Sequence, residues 1–192
     1  MEFFVDTINI TGVTEWENVF RMISVNSDKL RSRRPSGIGT GINIGARIPA
    51  VFLNEDNDGP YAHICMSIGD EGNKCKNVDI SLKRWHRLTL VHREKDDGNF
   101  VFDIALDGDK TSEDVNNQPR IFDDTKLFVS GIMDNAFSQK RDGAFDGLLK
   151  NFKVCPTSKN FCSKCFNYLP KYIYTDFNEQ IVIPCFRVIS YR

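Results

Sequence analysis

The sequence predicts an all-β domain, an antiparallel two-sheet sandwich carrying a short, disulfide-stapled C-terminal extension. Three observations predict it. Apolar side chains alternate at period two along most of the chain, as they do on strands with one buried face. Gly, Asp and Asn cluster between the runs, where tight turns need them. No segment shows three turns of amphipathic helical spacing. Phe is common, at 15 of 192 residues, and aromatic and β-branched side chains favour the pleated surface.

The elements follow in order. Phe3 to Ile10 reads as a strand, and so does Val19 to Val25. A basic loop, Asp28 to Ser36, comes next. Gly37, Gly39 and Gly41 then alternate with larger residues and leave one strand face nearly bare. Ala46 to Leu53 runs into the acidic turn Asn54 to Gly59. Tyr61 to Ile68 is a strand whose tip, Gly69 to Asn73, turns back towards Cys75. Trp85 to Val91 alternates, with Leu88 and Leu90 opposite Trp85, Thr89 and Val91. Asp96-Asp97-Gly98-Asn99 is a hairpin turn, and Phe100, Phe102, Ile104 and Leu106 line the returning strand. Asp107-Gly108 turns again. Leu127 to Ser130 and Leu148 to Val154 complete the pattern. The expected interior comprises Trp85, Leu88, Leu90, Phe100, Phe102, Ile104, Leu106, Leu148 and Phe152. Residues 1–154 form the sandwich, and 155–192 are too short to bury a core unaided.

Charge and cysteine bound the function. The chain holds 25 Lys and Arg against 26 Asp and Glu, a net charge of -1. That balance gives no electrostatic reason to expect nucleic acid as partner. No apolar run reaches membrane-span length. Met1 leads straight into strand-like sequence, so a mature domain or expressed fragment is expected. The six cysteines, Cys65, Cys75, Cys155, Cys162, Cys165 and Cys185, are even in number. Disulfides are favoured over zinc, because only Cys162 and Cys165 form a close metal-type pair. Cys65 is expected to pair with Cys75 across a hairpin, and the last four cysteines among themselves. With the sequon Asn9-Ile10-Thr11, this points to an extracellular, secreted or ectodomain setting.

A family resemblance adds to this reading over Ile80 to Val154. The motifs are Ser81-Leu82-Lys83-Arg84-Trp85-His86, then Phe102-Asp103-Ile104-Ala105-Leu106-Asp107-Gly108, then Leu127-Phe128-Val129-Ser130-Gly131, then Gly143-Ala144-Phe145-Asp146-Gly147 leading into Leu148-Leu149-Lys150-Asn151-Phe152. In this order they resemble the laminin G-like, concanavalin A-like domains. The resemblance implies a jelly roll in which Trp85 plugs the core and Gly147 permits close packing. Ser130 departs from the family's paired glycines, and the Cys-rich tail is longer than the family's single disulfide needs. These domains serve as lectin, proteoglycan-binding, receptor and carrier modules alike.

Four constellations bear on function. The resemblance implies a rim calcium at Asp58 (or Asp56) with Asp134 or Asn135, whose oxygen ligands suit that hard cation; solvated turns would use the same residues. Arg31, Arg33 and Arg34 form the densest basic loop, suited to sulfate or carboxylate or simply to solvent. Lys83, Arg84, Arg87 and Arg93 add a second basic stretch. The glycine ladder is not a phosphate loop, since no helix follows it. Of His63, His86 and His92, none has metalloprotease spacing, and the alternating acidic strand motif of sandwich-fold glycoside hydrolases is absent; Glu15-Trp16-Glu17 comes nearest to it. The expected function is non-catalytic recognition of a glycan, sulfated or unsulfated, or of an extracellular protein. A glycan-cleaving enzyme and a coat or assembly module are the alternatives.

Overall fold

A computed structural model describes residues 1–10, 14–24, 47–68, 71–115, 125–130, 133–134, 141–154, 166–167, 173–174 and 179–182. No helix occurs among them. The first sheet contains β1 (Glu2–Thr7), β6 (Trp85–Glu94), β7 (Phe100–Leu106), β8 (Asp109–Val115), β12 (Asp146–Lys150) and β15 (Ile173–Tyr174), in the order β15-β12-β1-β6-β7-β8. The second is built from β2 (Thr14–Ser24), β3 (Ala50–Asp56), β4 (Gly59–Ile68), β5 (Glu71–Asp79), β9 (Thr125–Val129), β10 (Met133–Asp134), β11 (Arg141–Ala144) and β16 (Glu179–Val182). Its main path runs β10-β11-β2-β3-β4-β5, and β9 joins β2 beside β16. A short ladder pairs β13 (Lys153–Val154) with β14 (Phe166–Asn167). Pairing is antiparallel apart from β11 with β2, which is parallel.

Apolar side chains from both sheets meet in one core. Phe3, Val5, Leu88, Phe102, Ile104, Leu106 and Leu149 come from the first sheet; Val19, Met22, Val51, Leu53, Ile64 and Leu127 come from the second. Phe20 and Phe152 close edge to face, with ring centroids 5.1 Å apart. The extension is part of the sheets: β15 pairs with β12, and β16 with β9.

The expected hairpins form. Lys95 N–H donates to the Asn99 carbonyl and Asn99 N–H to Asp97 Oδ1, closing the β6–β7 turn. Asp107 and Gly108 both take positive φ, 54° and 102°, in the β7–β8 turn, where such angles match strand twist. A Cβ on Gly147 would run into the Phe4 carbonyl oxygen and the Phe145 ring, so close approach of β12 to β1 requires glycine there.

The interior differs from expectation at Trp85. Leu88, Phe102, Ile104, Leu106 and Phe152 are buried, but Trp85, Leu90 and Leu148 are only half-buried. The reason is the alternation itself: Leu88 and His86 face inward on β6, so Trp85 faces outward. There it packs on Phe4, directly opposite on β1, at 5.8 Å between centroids. Lys150 Nζ caps the ring at 3.8 Å. The inward place beside it is taken by His86, whose ring lies tilted against Phe3 at 5.4 Å between centroids.

Candidate functional site: the aromatic face of the second sheet

On β4, Ala62, Ile64 and Met66 enter the core, so Tyr61, His63 and Cys65 point to the other side. On β3, Val51 and Leu53 enter it and Phe52 does not. Register places Phe52 opposite His63, His63 opposite Asn77, and Cys65 opposite Cys75. One row further, Asn54, Tyr61 and Asp79 stand side by side.

Trp16 of β2 binds this row together. Its ring stacks on His63 at 4.6 Å with a 26° interplanar angle, and meets Tyr61 and Phe52 edge-on at 6.2 and 6.4 Å. Phe52 is buried beneath, with the Arg47 guanidinium 4.8 Å over its ring. Trp16, Tyr61, His63 and Asn54 are half-buried, while Asn77 and Asp79 are exposed. The result is an aromatic platform edged by two amides and a carboxyl. His63 Nδ1 lies 2.6 Å from Asn77 Oδ1. Burial holds the His63 imidazole below its ordinary value; the Asn77 bond opposes this and the Arg47 charge adds to it. The ring is therefore neutral at pH 7 and above. Burial, then the nearby Asp56 charge, raises the Tyr61 phenol, which stays a hydrogen-bond donor.

Cys65 and Cys75 form a disulfide, with Cα atoms 4.1 Å apart. Arg47 Nη1 donates towards both sulfurs, at 3.3 Å to Cys65 and 3.9 Å to Cys75. A ring nitrogen of His63 lies with the two sulfurs inside a 4.8 Å cluster.

The residues singled out from sequence fall elsewhere. Asp58 sits in the exposed two-residue turn between β3 and β4, its N–H donating to Asp56 Oδ1. Asp134 is on β10, and Asn135 lies outside the described residues. Strands β11, β2 and β3 separate β10 from the Asp58 turn. At about 4.8 Å per strand spacing, one calcium joining them would bridge roughly 14 Å of sheet. Arg31, Arg33, Arg34, the glycine ladder, Cys155, Cys162, Cys165 and Cys185 all lie outside the described residues. Asn9 is exposed, and its Nδ2 donates to Thr7 Oγ1 at 2.9 Å.

In the second basic stretch, Arg84 and Arg93 are engaged with Asp107 and Asp103, at 3.1 and 2.7 Å. Lys110 reaches the same Asp103 at 3.0 Å. Asp107 also accepts from Arg87 N–H at 2.7 Å and lies 2.8 Å from His86 Nδ1. His86 Nε2 lies 2.7 Å from the Ser81 carbonyl. Partial burial raises the Asp107 carboxyl, but these donors outweigh it and hold it below the ordinary range. The Trp85-His86 and Asp107-Gly108 motifs are thus two halves of one structural clasp. No family model, curated protein or solved structure matches this chain.

Proposed function

We propose that this chain is a non-catalytic extracellular recognition domain of the laminin G-like, concanavalin A-like kind, and that Trp16, Tyr61 and His63 receive a glycan. The observation that carries the reading is the half-exposed aromatic row with Asn54, Asn77 and Asp79 beside it. Aromatic faces offer a large apolar area at low entropic cost, and neighbouring amides and carboxyls hydrogen-bond hydroxyls. The residues stand on paired strands β2, β3, β4 and β5 of one sheet, a scaffold suited to presenting a recognition surface. The cross-strand disulfide fits an oxidising compartment.

The absence of catalysis is supported by Glu17. Among the described residues it is the carboxyl raised to about 7, first by burial, against the Asn9 N–H bond. That value suits an acid catalyst. Yet Glu17 is 2% exposed, and on β2 it stands opposite Leu53, whose side chain enters the core.

Calcium at the Asp58 turn, and sulfate binding by Arg31, Arg33 and Arg34, belong to the same proposal as separate surfaces. A glycan array including sulfated chains, run with calcium and with chelator, tests all three. The expected result is a defined set of glycans lost in Trp16→Ala and Tyr61→Ala while both variants still unfold in one cooperative transition. Unchanged binding in Trp16→Ala overturns the platform and moves recognition to the acidic rim, if chelation abolishes it, or to the basic loop, if salt does.

A further inference from the structure

From the charges set around the aromatic row, we infer that the sugar it receives carries a free, protonated amine: a hexosamine unit whose nitrogen is neither acetylated nor sulfated. This rests on the glycan reading of the Trp16, Tyr61 and His63 face and names the class of sugar. The ammonium is seated at the Tyr61 end of the row, where Asp56 and Asp79 supply the carboxylates.

Register brings those groups together. Tyr61 pairs with Asn54 on one side and with Asp79 on the other. Asp56 lies two residues beyond Asn54 on β3, hence on the same face. Both aspartates are exposed. Asp79 makes no ion pair or side-chain hydrogen bond with a described residue. Asp56 Oδ1 accepts from Asp58 N–H, which leaves Oδ2 for a ligand. The β11 position paired with Trp16 is a further acid, Asp142. Among the described residues of β3, β4 and β5, no Lys or Arg holds a position on this face; Lys74 and Lys76 stand opposite Met66 and Ile64, on the core side. Arg47 is buried and committed to the Phe52 ring and the disulfide sulfurs. Its charge acts on the His63 imidazole, whereas the charge of Asp56 acts on the Tyr61 phenol. The row is therefore polarised, positive beneath His63 and negative beside Tyr61.

This polarity selects the sugar. An ammonium offers only donors, as paired carboxylates require, and the faces of Trp and Tyr attract cations. A sulfated or carboxylated sugar meets the repulsion of Asp56 and Asp79. An acetamido group carries no charge for them to hold. The amides suit the rest of the ring. Asn77 Oδ1 is engaged by His63, so its Nδ2 remains to donate to a hydroxyl, and Asn54 stands between the two aromatic strands. A lysine side chain would meet the carboxylates but has no hydroxyl for these amides, so an amino sugar fits better than a basic peptide.

The probe is a glucosamine tetramer, compared with its N-acetylated and N-sulfated counterparts and with tetralysine. Calorimetry on the full chain at about pH 6 keeps the amine charged. Binding at the row is the part lost in Trp16→Ala. The free-amine tetramer should bind there about tenfold tighter than the N-acetylated one. Asp79→Asn, isosteric at an exposed position, should remove that advantage and leave the affinity of the N-acetylated form unchanged. Acetylated or sulfated tetramer bound at the row as tightly as the free amine overturns the inference and leaves the glycan reading standing. The same holds if no tetramer binds while the array still returns glycans that depend on Trp16. An advantage fully kept in Asp79→Asn also overturns it. Tetralysine bound at the row, with no glycan bound there, overturns the inference and the glycan reading together.

Discussion

Trp16 and Trp85 are the two tryptophans of the chain, and each lies on the outward side of its own sheet. Trp85, half-buried, is engaged by Phe4 beside it and by Lys150 above it, with Lys150 also paired to Glu2 at 3.1 Å. Trp16 is engaged by His63, Tyr61 and Phe52, two of which remain half-exposed and edged by amides. The first arrangement closes a surface with a cation; the second leaves aromatic area open to a partner. The difference teaches that a recognisable motif need not mark a site. Trp85 belongs to the motif that carries the family resemblance and serves architecture, while Trp16 belongs to none and heads the candidate site.

The largest effect expected from this contrast lies one residue beyond Trp16. Glu17 faces the opposite way, beside core Leu53, with Oε1 accepting from Asn9 N–H at 2.6 Å. Its carboxyl is raised from 4.5 to about 7. The folded state therefore holds a proton that the unfolded chain releases. Its contribution to stability is full below about pH 4.5 and is lost as pH rises through about 7. The loss amounts to about 3 kcal/mol. Urea denaturation from pH 4 to pH 8 should show Glu17→Gln lacking this decline, with glycan binding unaltered. Parallel pH curves for the two proteins would sink the assignment and merge the two sides of β2 into one functional unit.

The second effect separates the two histidine clusters. His86 is buried and bridges the Asp107 turn to the Ser81 carbonyl. His63 is half-buried and bonded to exposed Asn77. His86→Ala removes the ring that links the Asp107 carboxyl to the Ser81 backbone and should cost about 2 kcal/mol. His63→Ala should cost less than about 1 kcal/mol and act on binding instead. Chemical denaturation of both variants decides it. Equal losses would mean that the aromatic platform is as structural as the clasp.

The same contrast explains what the sequence discloses. Hairpins announced by Asp96 to Asn99 and by Asp107-Gly108 stand where expected, because turn chemistry is local. Strands β5 and β8, by contrast, have the polar sequences EGNKCKNVD and DKTSEDV. They lie at sheet edges, where charge guards against unwanted pairing and erases the apolar alternation a reader relies on. Trp85 was expected inside because the resemblance supplied a plug, although alternation with Leu88 already set it facing outward. Part of the candidate site follows from the cysteines. Once Cys65 opposes Cys75, His63 must oppose Asn77 and Tyr61 must oppose Asp79. Trp16 joins them only through the β2–β3 register, which shifts by a bulge between Asn18 and Phe20. A bulge carries no sequence signal here, so the heart of the platform was not legible.

The smallest effect tests the closed surface itself. Lys150 Nζ is 3.8 Å from the Trp85 ring centre and 3.1 Å from Glu2 Oε2. The ring attraction contributes about 0.5–1 kcal/mol at a partly exposed site, and the ion pair contributes comparably or less. The two respond differently to salt. Screening weakens the ion pair, because both charges lie near water, whereas the ammonium in direct contact with the ring is shielded on one side. Lys150→Ala should therefore destabilise by about 1 kcal/mol at low salt, and part of that loss should persist at high salt. A double-mutant cycle between Lys150→Ala and Trp85→Leu isolates the persistent part. A coupling that vanishes entirely at high salt would show that Lys150 is held by Glu2 alone. Trp85 would then be an uncapped aromatic surface like Trp16, and the first sheet would have to be considered for recognition on the same terms as the second.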